Sequence, residues 1–177
     1  MKAKERKWER VTQEFPPICD TESRVLILGT APSQKSRETG FYYGHPQNRF
    51  WRMLAAVIGE AVPQSIEEKK AFLLRNHIAL HDVIHSCDII GSSDSSIKNV
   101  EPAALERILA VTGKIPILCN GGTAYRLYQK YQEERLEIMA VQLPSTSPAN
   151  AVWNLERLTE AWGEALLPLL RKEGEKA

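Results

Sequence analysis

A chain of 177 residues with a formal net charge of +1 and 43% hydrophobic residues has the size and balance of one soluble globular domain. Its apolar runs fall well short of the ~20 residues of a membrane span, and its basic start, Met1 to Arg10, leads into no apolar signal-peptide core, so a cytoplasmic protein is expected. The near-neutral charge gives no whole-chain basic field of the kind nucleic-acid binders often carry; the local clusters Lys2 to Arg10, Lys35 with Arg37, and Arg49 with Arg52 read singly as solvated surface.

Residues 1–23 read as an N-terminal arm, in which Phe15-Pro16-Pro17 forbids a regular helix. Arg24 to Gly29 is a short apolar run ending at glycine, as expected of a buried parallel strand. A loop rich in Pro, Ser, Gly and aromatics follows, up to a helix that starts near Asn48. Its apolar face is Phe50, Trp51, Leu54, Ala55, Val57 and Ile58, and it ends near Gly59. Ser65 to Asn76 predicts a second helix with Ser65 as cap. Ile78 to Val83 predicts a strand, followed by a long polar loop over residues 85–100.

Pro102 to Thr112 predicts a helix with proline in its first turn. Ile115 to Cys119 predicts a strand ending in an Asn120-Gly121-Gly122 turn, and Thr123 to Glu134 the next helix. Leu136 to Leu143 predicts the last strand, and Asn154 to Lys172 the last helix, with Pro168 kinking its end. Alternation of this kind implies an α/β fold, a parallel sheet of about four strands with helices on both faces, as one domain over 24–172 with a frayed tail at 173–177. Ligand sites of such sheets lie beyond the strand carboxyl ends, here residues 30–48, 85–100, 120–122 and 143–152.

Three widely spaced cysteines, Cys19, Cys87 and Cys119, fit neither a disulfide framework nor a four-ligand metal site. His77, His81 and His85 recur every four residues, but in a strand-like context rather than on a helix, so no metal is expected. Gly29 to Ser36, GTAPSQKS, approaches a phosphate loop. Gln34 replaces the second glycine, however, and Pro32 removes a backbone N–H from the cradle. Ser145 and Ser147 follow a strand without a G-x-S-x-G elbow. Phe41 reads as a core anchor, and Tyr43, beside Gly44, as a ring able to stack on a planar ligand such as a nucleobase.

Taken together, GTAPSQKSRETGFYYGHPQNRFW, LPSTSPAN after the last strand, and DVIHSCDIIGSSDSSIK from Asp82 to Lys98 resemble the uracil-DNA glycosylase superfamily, and within it the branch acting on hypoxanthine (deoxyinosine) in DNA. The resemblance covers nearly the whole chain. It implies a three-layer α/β/α sandwich on a four-stranded parallel sheet, base flipping, hydrolysis of the N-glycosidic bond, and no cofactor or metal.

Two family positions depart from the pattern. Ala31 stands where other branches carry an Asp or Asn that positions water, and Leu143 where many carry a catalytic His. The resemblance shifts the catalytic role to Asn48, which is equally a preferred helix cap. It places Gly29, Thr30, Ala31, Pro32, Tyr43, Asp82 and Asn120 against the base. It places Ser33, Ser36, His45, Ser145, Thr146, Ser147, Pro148, Ala149 and Asn150 against the DNA backbone and minor groove, with Ser92 to Ser96 as further phosphate contacts. A donor to O6 and an acceptor from N1–H would select hypoxanthine over adenine and would also accept uracil. The expected partner is DNA carrying deaminated bases, acted on by a monomer. A uracil or mismatch glycosylase, and a non-catalytic nucleotide- or nucleic-acid-binding module, stay open as alternatives.

Overall fold

In the computed structural model, which describes residues 7–171, a four-stranded parallel sheet carries the molecule. Its order is β3-β2-β6-β7, from β2 (Val25–Gly29), β3 (Ile78–Asp82), β6 (Ile117–Asn120) and β7 (Ala140–Leu143). The apolar runs of these strands form the sheet because both faces are covered. Val25 and Ile27 point to one face, packing with Phe50, Leu54, Phe72, Trp162 and Leu166. Those residues come from α2 (Phe50–Ile58), α3 (Ile66–Arg75) and α7 (Leu155–Leu170). Leu26 and Leu28 point to the other face, onto Leu105 and Ile108 of α4 (Leu105–Thr112) and Ala124 and Tyr128 of α5 (Gly122–Tyr128).

The expected caps of α3 and α7 are in place: Ser65 Oγ accepts from Glu68 N at 3.0 Å, and Asn154 Oδ1 from Arg157 N at 2.8 Å. α5 runs on through a π turn at Gln129–Glu133 into α6 (Glu134–Leu136), so Leu136 closes a helix and β7 begins only at Ala140. α7 continues through Pro168 to Leu170. The frayed tail at 173–177 lies outside the described residues, as do residues 1–6 of the arm.

The long polar loop expected over 85–100 is instead a hairpin. β4 (Ile84–Ile90) and β5 (Lys98–Pro102) pair antiparallel, and β1 (Trp8–Thr12) from the N-terminal segment pairs with β4 on its other side. This second sheet, β1-β4-β5, buries Val11, Ile84, Cys87 and Ile89 against the half-buried Ala31. Its polar residues are paired across strands: Arg10 donates to Ser86 Oγ at 2.8 Å and Asn99 Nδ2 to Asp88 at 2.7 Å. Within the stretch 30–48 there is also a short helix, α1 (Gln34–Thr39), capped by Ser33. No described helix is long and apolar enough to cross a membrane.

Candidate active site

The loops beyond the carboxyl ends of β2, β3, β6 and β7 enclose a cavity of about 640 Å³. Its lining includes Gly29 to Pro32, Tyr43, Asn48, Asp82, Asn120 and Ser145 to Ala149. The candidate residues from separate parts of the chain therefore converge on one place; of those predicted to contact DNA, Asn150 and, in the 92–96 segment, Ser93, Ser95 and Ser96 stand off the lining.

Asn48 joins two of these loops. Its Oδ1 accepts from the Phe50 backbone N–H at 3.0 Å, which is a cap-like bond at the entry of α2, and from Thr146 Oγ1 at 2.9 Å. Thr146 in turn accepts from Asn120 Nδ2 at 3.0 Å, and its N–H donates to Asn120 Oδ1 at 3.0 Å. A backbone N–H has no other option than to donate, so the atom facing Phe50 must be the amide oxygen. The two hydrogens of Asn48 Nδ2 are left without a partner among the described residues, on a side chain that lines the cavity. The oxygen of Asn48 is therefore taken up at the helix entry, and its nitrogen is left on a side chain that lines the cavity.

The floor is set by Gly29. A Cβ there would lie 2.5 Å from Asp82 Oδ1 and 2.7 Å from the Tyr43 hydroxyl, so only glycine lets both oxygens approach the strand end. Asp82 is buried, and its Oδ2 accepts from Gln13 Nε2, at the end of β1. Burial pushes the Asp82 carboxyl up to about 7, partly offset by the Gln13 hydrogen bond. Tyr43 has φ 54, a left-handed conformation unusual for a bulky residue. It is held there by Phe50, stacked on its ring at a centroid distance of 4.0 Å. One ring face is therefore occupied by Phe50. Burial, then the Asp82 charge, raises the hydroxyl far above the ordinary tyrosine value. The Asn120 amide lies close enough to favour the ionised form, but makes no hydrogen bond to it.

Some side chains expected to face DNA are turned inward. Ser36 is buried, its hydroxyl accepting from Gly44 N at 3.0 Å and from Ser33 Oγ at 3.1 Å. Thr146 is fully buried in the amide chain described above. These two hydroxyls stabilise the loops and are not presented to a phosphate. Ser33 caps α1, accepting from Ser36 N at 3.1 Å. His45 Nδ1 accepts from Gln47 N at 3.1 Å at the cavity wall. Ser145 and Ser147 accept from backbone N–H groups two residues on, and Asn150 Nδ2 donates to Ser145 O at 3.0 Å. Ala149 is exposed at the mouth. Leu143 packs in the core at 7% exposure, out of reach of a substrate.

Arg49 corrects the surface reading of its basic cluster. Its guanidinium donates to Ser147 O at 2.7 Å, Asn150 O at 3.1 Å and Thr146 O at 3.4 Å, and also to Trp153 O. It holds the whole 146–153 loop against the start of α2. Arg49→Ala is expected to lose about 3 kcal/mol in urea unfolding, since hydrogen bonds from a charged group are worth about 1.5–3 kcal/mol each, these are only partly buried, and they are not additive. Arg49→Lys should recover under half, because one ammonium cannot span four carbonyls. A loss below about 0.5 kcal/mol for Arg49→Ala would show the clamp to be dispensable.

The family model for the uracil DNA glycosylase superfamily matches residues 16–166. The chain belongs to the uracil DNA glycosylase superfamily. A Methanosarcina acetivorans protein named hypoxanthine DNA glycosylase is 33% identical over 154 residues, 85% of this chain and 95% of the relative. A Methanosarcina barkeri protein of the same name is 43% identical over 91 residues, 50% of this chain and 57% of the relative. A solution NMR structure of a Methanosarcina acetivorans protein, described as a candidate uracil DNA glycosylase, superposes with a TM-score of 0.75 at 32% identity, covering 90% of this chain and 98% of the other. The superfamily and the four-stranded α/β/α sandwich expected from the sequence are both borne out.

Proposed function

We propose that this protein is a monofunctional DNA glycosylase that takes hypoxanthine, and with it uracil or xanthine, out of DNA by hydrolysis of the N-glycosidic bond. The observation that carries the proposal is the free Asn48 amide donor, fixed by Thr146 and Asn120, at the wall of a cavity that suits a flipped base. The names of the two Methanosarcina relatives support the choice of hypoxanthine.

As the glycosidic bond breaks, the sugar becomes oxocarbenium-like and the base gathers negative charge. Because its oxygen is engaged at both lone pairs, Asn48 meets the substrate only as a donor. A donor stabilises the departing base and cannot draw a proton from water. Ala31 packs its methyl toward the β1-β4-β5 sheet and supplies no water ligand. Catalysis on this reading is electrostatic, carried out by a monomer in the cytoplasm on DNA, without metal or cofactor.

Duplexes carrying one deoxyinosine, deoxyuridine or deoxyxanthosine test the reading. Alkali-labile abasic sites should appear fastest at inosine, with no strand cut before alkali. Absence of product from all three would favour the non-catalytic module instead, and cutting without alkali would contradict the monofunctional chemistry.

A further inference from the structure

A second space, a groove of about 320 Å³, lies beside the main cavity between β1 and α1. Val11 and Pro32 line both, so the groove adjoins the mouth of the candidate active site. Its other wall is Arg37 of α1. The sequence groups Arg37 with Lys35 as solvated surface, but the side chain is only 30% exposed. Of its three nitrogens, only Nη2 has a partner among the described residues, Glu9 Oε1 at 2.8 Å. Nε is buried and has none. A buried guanidinium N–H without an acceptor is destabilising, and such exceptions call for a ligand or a functional reason. Arg10, which also lines the groove, is engaged elsewhere. Its guanidinium donates to Ser86 Oγ at 2.8 Å, Asn99 O at 2.7 Å and Asp88 Oδ1 at 3.3 Å. Arg37 is therefore the cation of this groove with donors to offer.

The backbone of β1 adds to them. β1 is an edge strand of its sheet. Gln13 N–H donates to His85 O directly opposite at 2.6 Å, so Glu9, Val11 and Gln13 turn their backbone groups to β4, and Arg10 and Thr12 turn theirs to the open edge. Addition of a peptide strand there is disfavoured, because the edge is five residues long and carries Glu9 and Arg10, the kind of short, charged edge that resists pairing. A compact oxyanion that takes several donors at once fits better, and a guanidinium matches the oxygens of a phosphate. Two acids oppose it. Glu14 is exposed, so water screens its charge. Glu9 faces Arg37 directly, but at 46% and 30% exposure this ion pair contributes little and exchanges readily.

We infer that Arg37 binds a backbone phosphate of the DNA strand that carries the flipped nucleotide, at a position flanking it. Glu9 is the placeholder: it pairs with Arg37 in the free protein and gives way to the phosphate. The inference rests on the glycosylase reading and adds to it a contact outside the base cavity, made from α1 rather than from the serine-rich loops. Such a contact fixes the path of the strand and carries no sequence information.

The test is binding to a duplex carrying one 2′-fluoro-arabino inosine, which resists cleavage, between about 50 and 200 mM salt. Arg37→Ala should weaken binding about 5- to 10-fold and lower the slope of log affinity against log salt by about 0.9, the share of one phosphate. Arg37→Gln keeps the stem of the side chain and should lower the slope equally, which guards against a misfolded alanine variant. Arg75→Ala removes the same charge from an exposed pair with Glu60, at the far end of the sheet where β3 begins, and should leave the slope unchanged. Glu9→Gln should tighten binding about two- to fivefold. Methylphosphonate substitution, which neutralises one phosphate at a time, locates the contact. One position flanking the lesion should weaken wild-type binding about 5- to 10-fold and weaken Arg37→Ala no further, a pattern that a structural role for Arg37 would not produce. An unchanged slope in both Arg37 variants, weaker binding in Glu9→Gln, or a scan in which every position affects wild type and variant alike would overturn the contact. Wild-type protein that releases no base from ordinary inosine DNA would instead sink the hydrolase reading, and the phosphate scan would still decide the role of Arg37.

Discussion

Asn48→Ala should lower kcat on inosine DNA by about 10²–10³-fold, the range for removing one preorganised donor from a transition-state site. The same substitution also removes the acceptor for Phe50 N and Thr146 Oγ1, so a melting temperature lower by several degrees should accompany it, at about 1 kcal/mol per bond. Activity loss in Asn48→Ala alone therefore does not separate a catalytic amide from a helix cap. Asn48→Asp separates them. Aspartate keeps the oxygen that Phe50 and Thr146 require and is as good a cap as asparagine. What it lacks is the Nδ2 donor.

The expected result is a protein that melts near the wild type yet loses as much of kcat as the alanine variant, with the larger change in kcat rather than KM because the donor acts as charge builds on the base. Retained activity in Asn48→Asp would assign Asn48 to the loop architecture alone. Thr146→Val gives an independent check. It removes the hydroxyl between Asn120 and Asn48 and leaves the Asn48 amide held by the Phe50 N–H alone, so an intermediate loss is expected.

The parts of this site that could be read from the sequence share a property: their signals are local. β2 and the first residues of β3 and β6 are apolar runs, and such runs form strands because helices cover both faces, whereas the edge strand β7 leaves Val141 and Gln142 exposed. The loops after them follow from the alternation of elements, so residues from Gly29 to Asn150 could be assigned to one edge before any contact was known. β1 and β5 carry no such pattern. Trp8 to Thr12 buries one residue in five, and Lys98 to Pro102 buries none fully. Their stability comes from the partner strand, which composition does not reveal. The polar residues of β4, His85, Ser86 and Asp88, gave that segment the look of a loop, whereas Arg10 and Asn99 pair with Ser86 and Asp88.

Gln13 and Arg49 were missed for the same reason. Their roles lie in hydrogen bonds to atoms far along the chain: Asp82 for Gln13, and the carbonyls of 146–153 for Arg49. Nothing in the neighbouring residues marks either one. The inward turn of Ser36 and Thr146 could not be anticipated either, since a serine- and threonine-rich loop suits loop-internal bonds as well as phosphate contacts.

Asp82→Asn should be more stable than the wild type at pH 8 and nearly equal to it near pH 4. The sign follows from the raised carboxyl. In the unfolded chain Asp82 titrates at its ordinary 3.8, and in the folded protein at about 7. Between those values the native state holds a proton that the unfolded state has released, so stability falls as pH rises across that window and levels off above it. Over about three pH units at 1.36 kcal/mol each, the ceiling is about 4 kcal/mol. Because the cost of a buried charge is reduced by relaxation of its surroundings, an observed gain of about 2 kcal/mol at pH 8, or about 5 °C in melting temperature, is the expected size. The neutral amide carries no such dependence, so the difference between the two melting curves from pH 4 to 8 isolates Asp82 from every other titrating group. Parallel curves would show that the carboxylate is solvated and carries no burial penalty. A gain in stability joined to a loss of hypoxanthine preference would show why the chain keeps a buried acid here: the charged acceptor is destabilising in the empty protein and useful once a ring N–H reaches it.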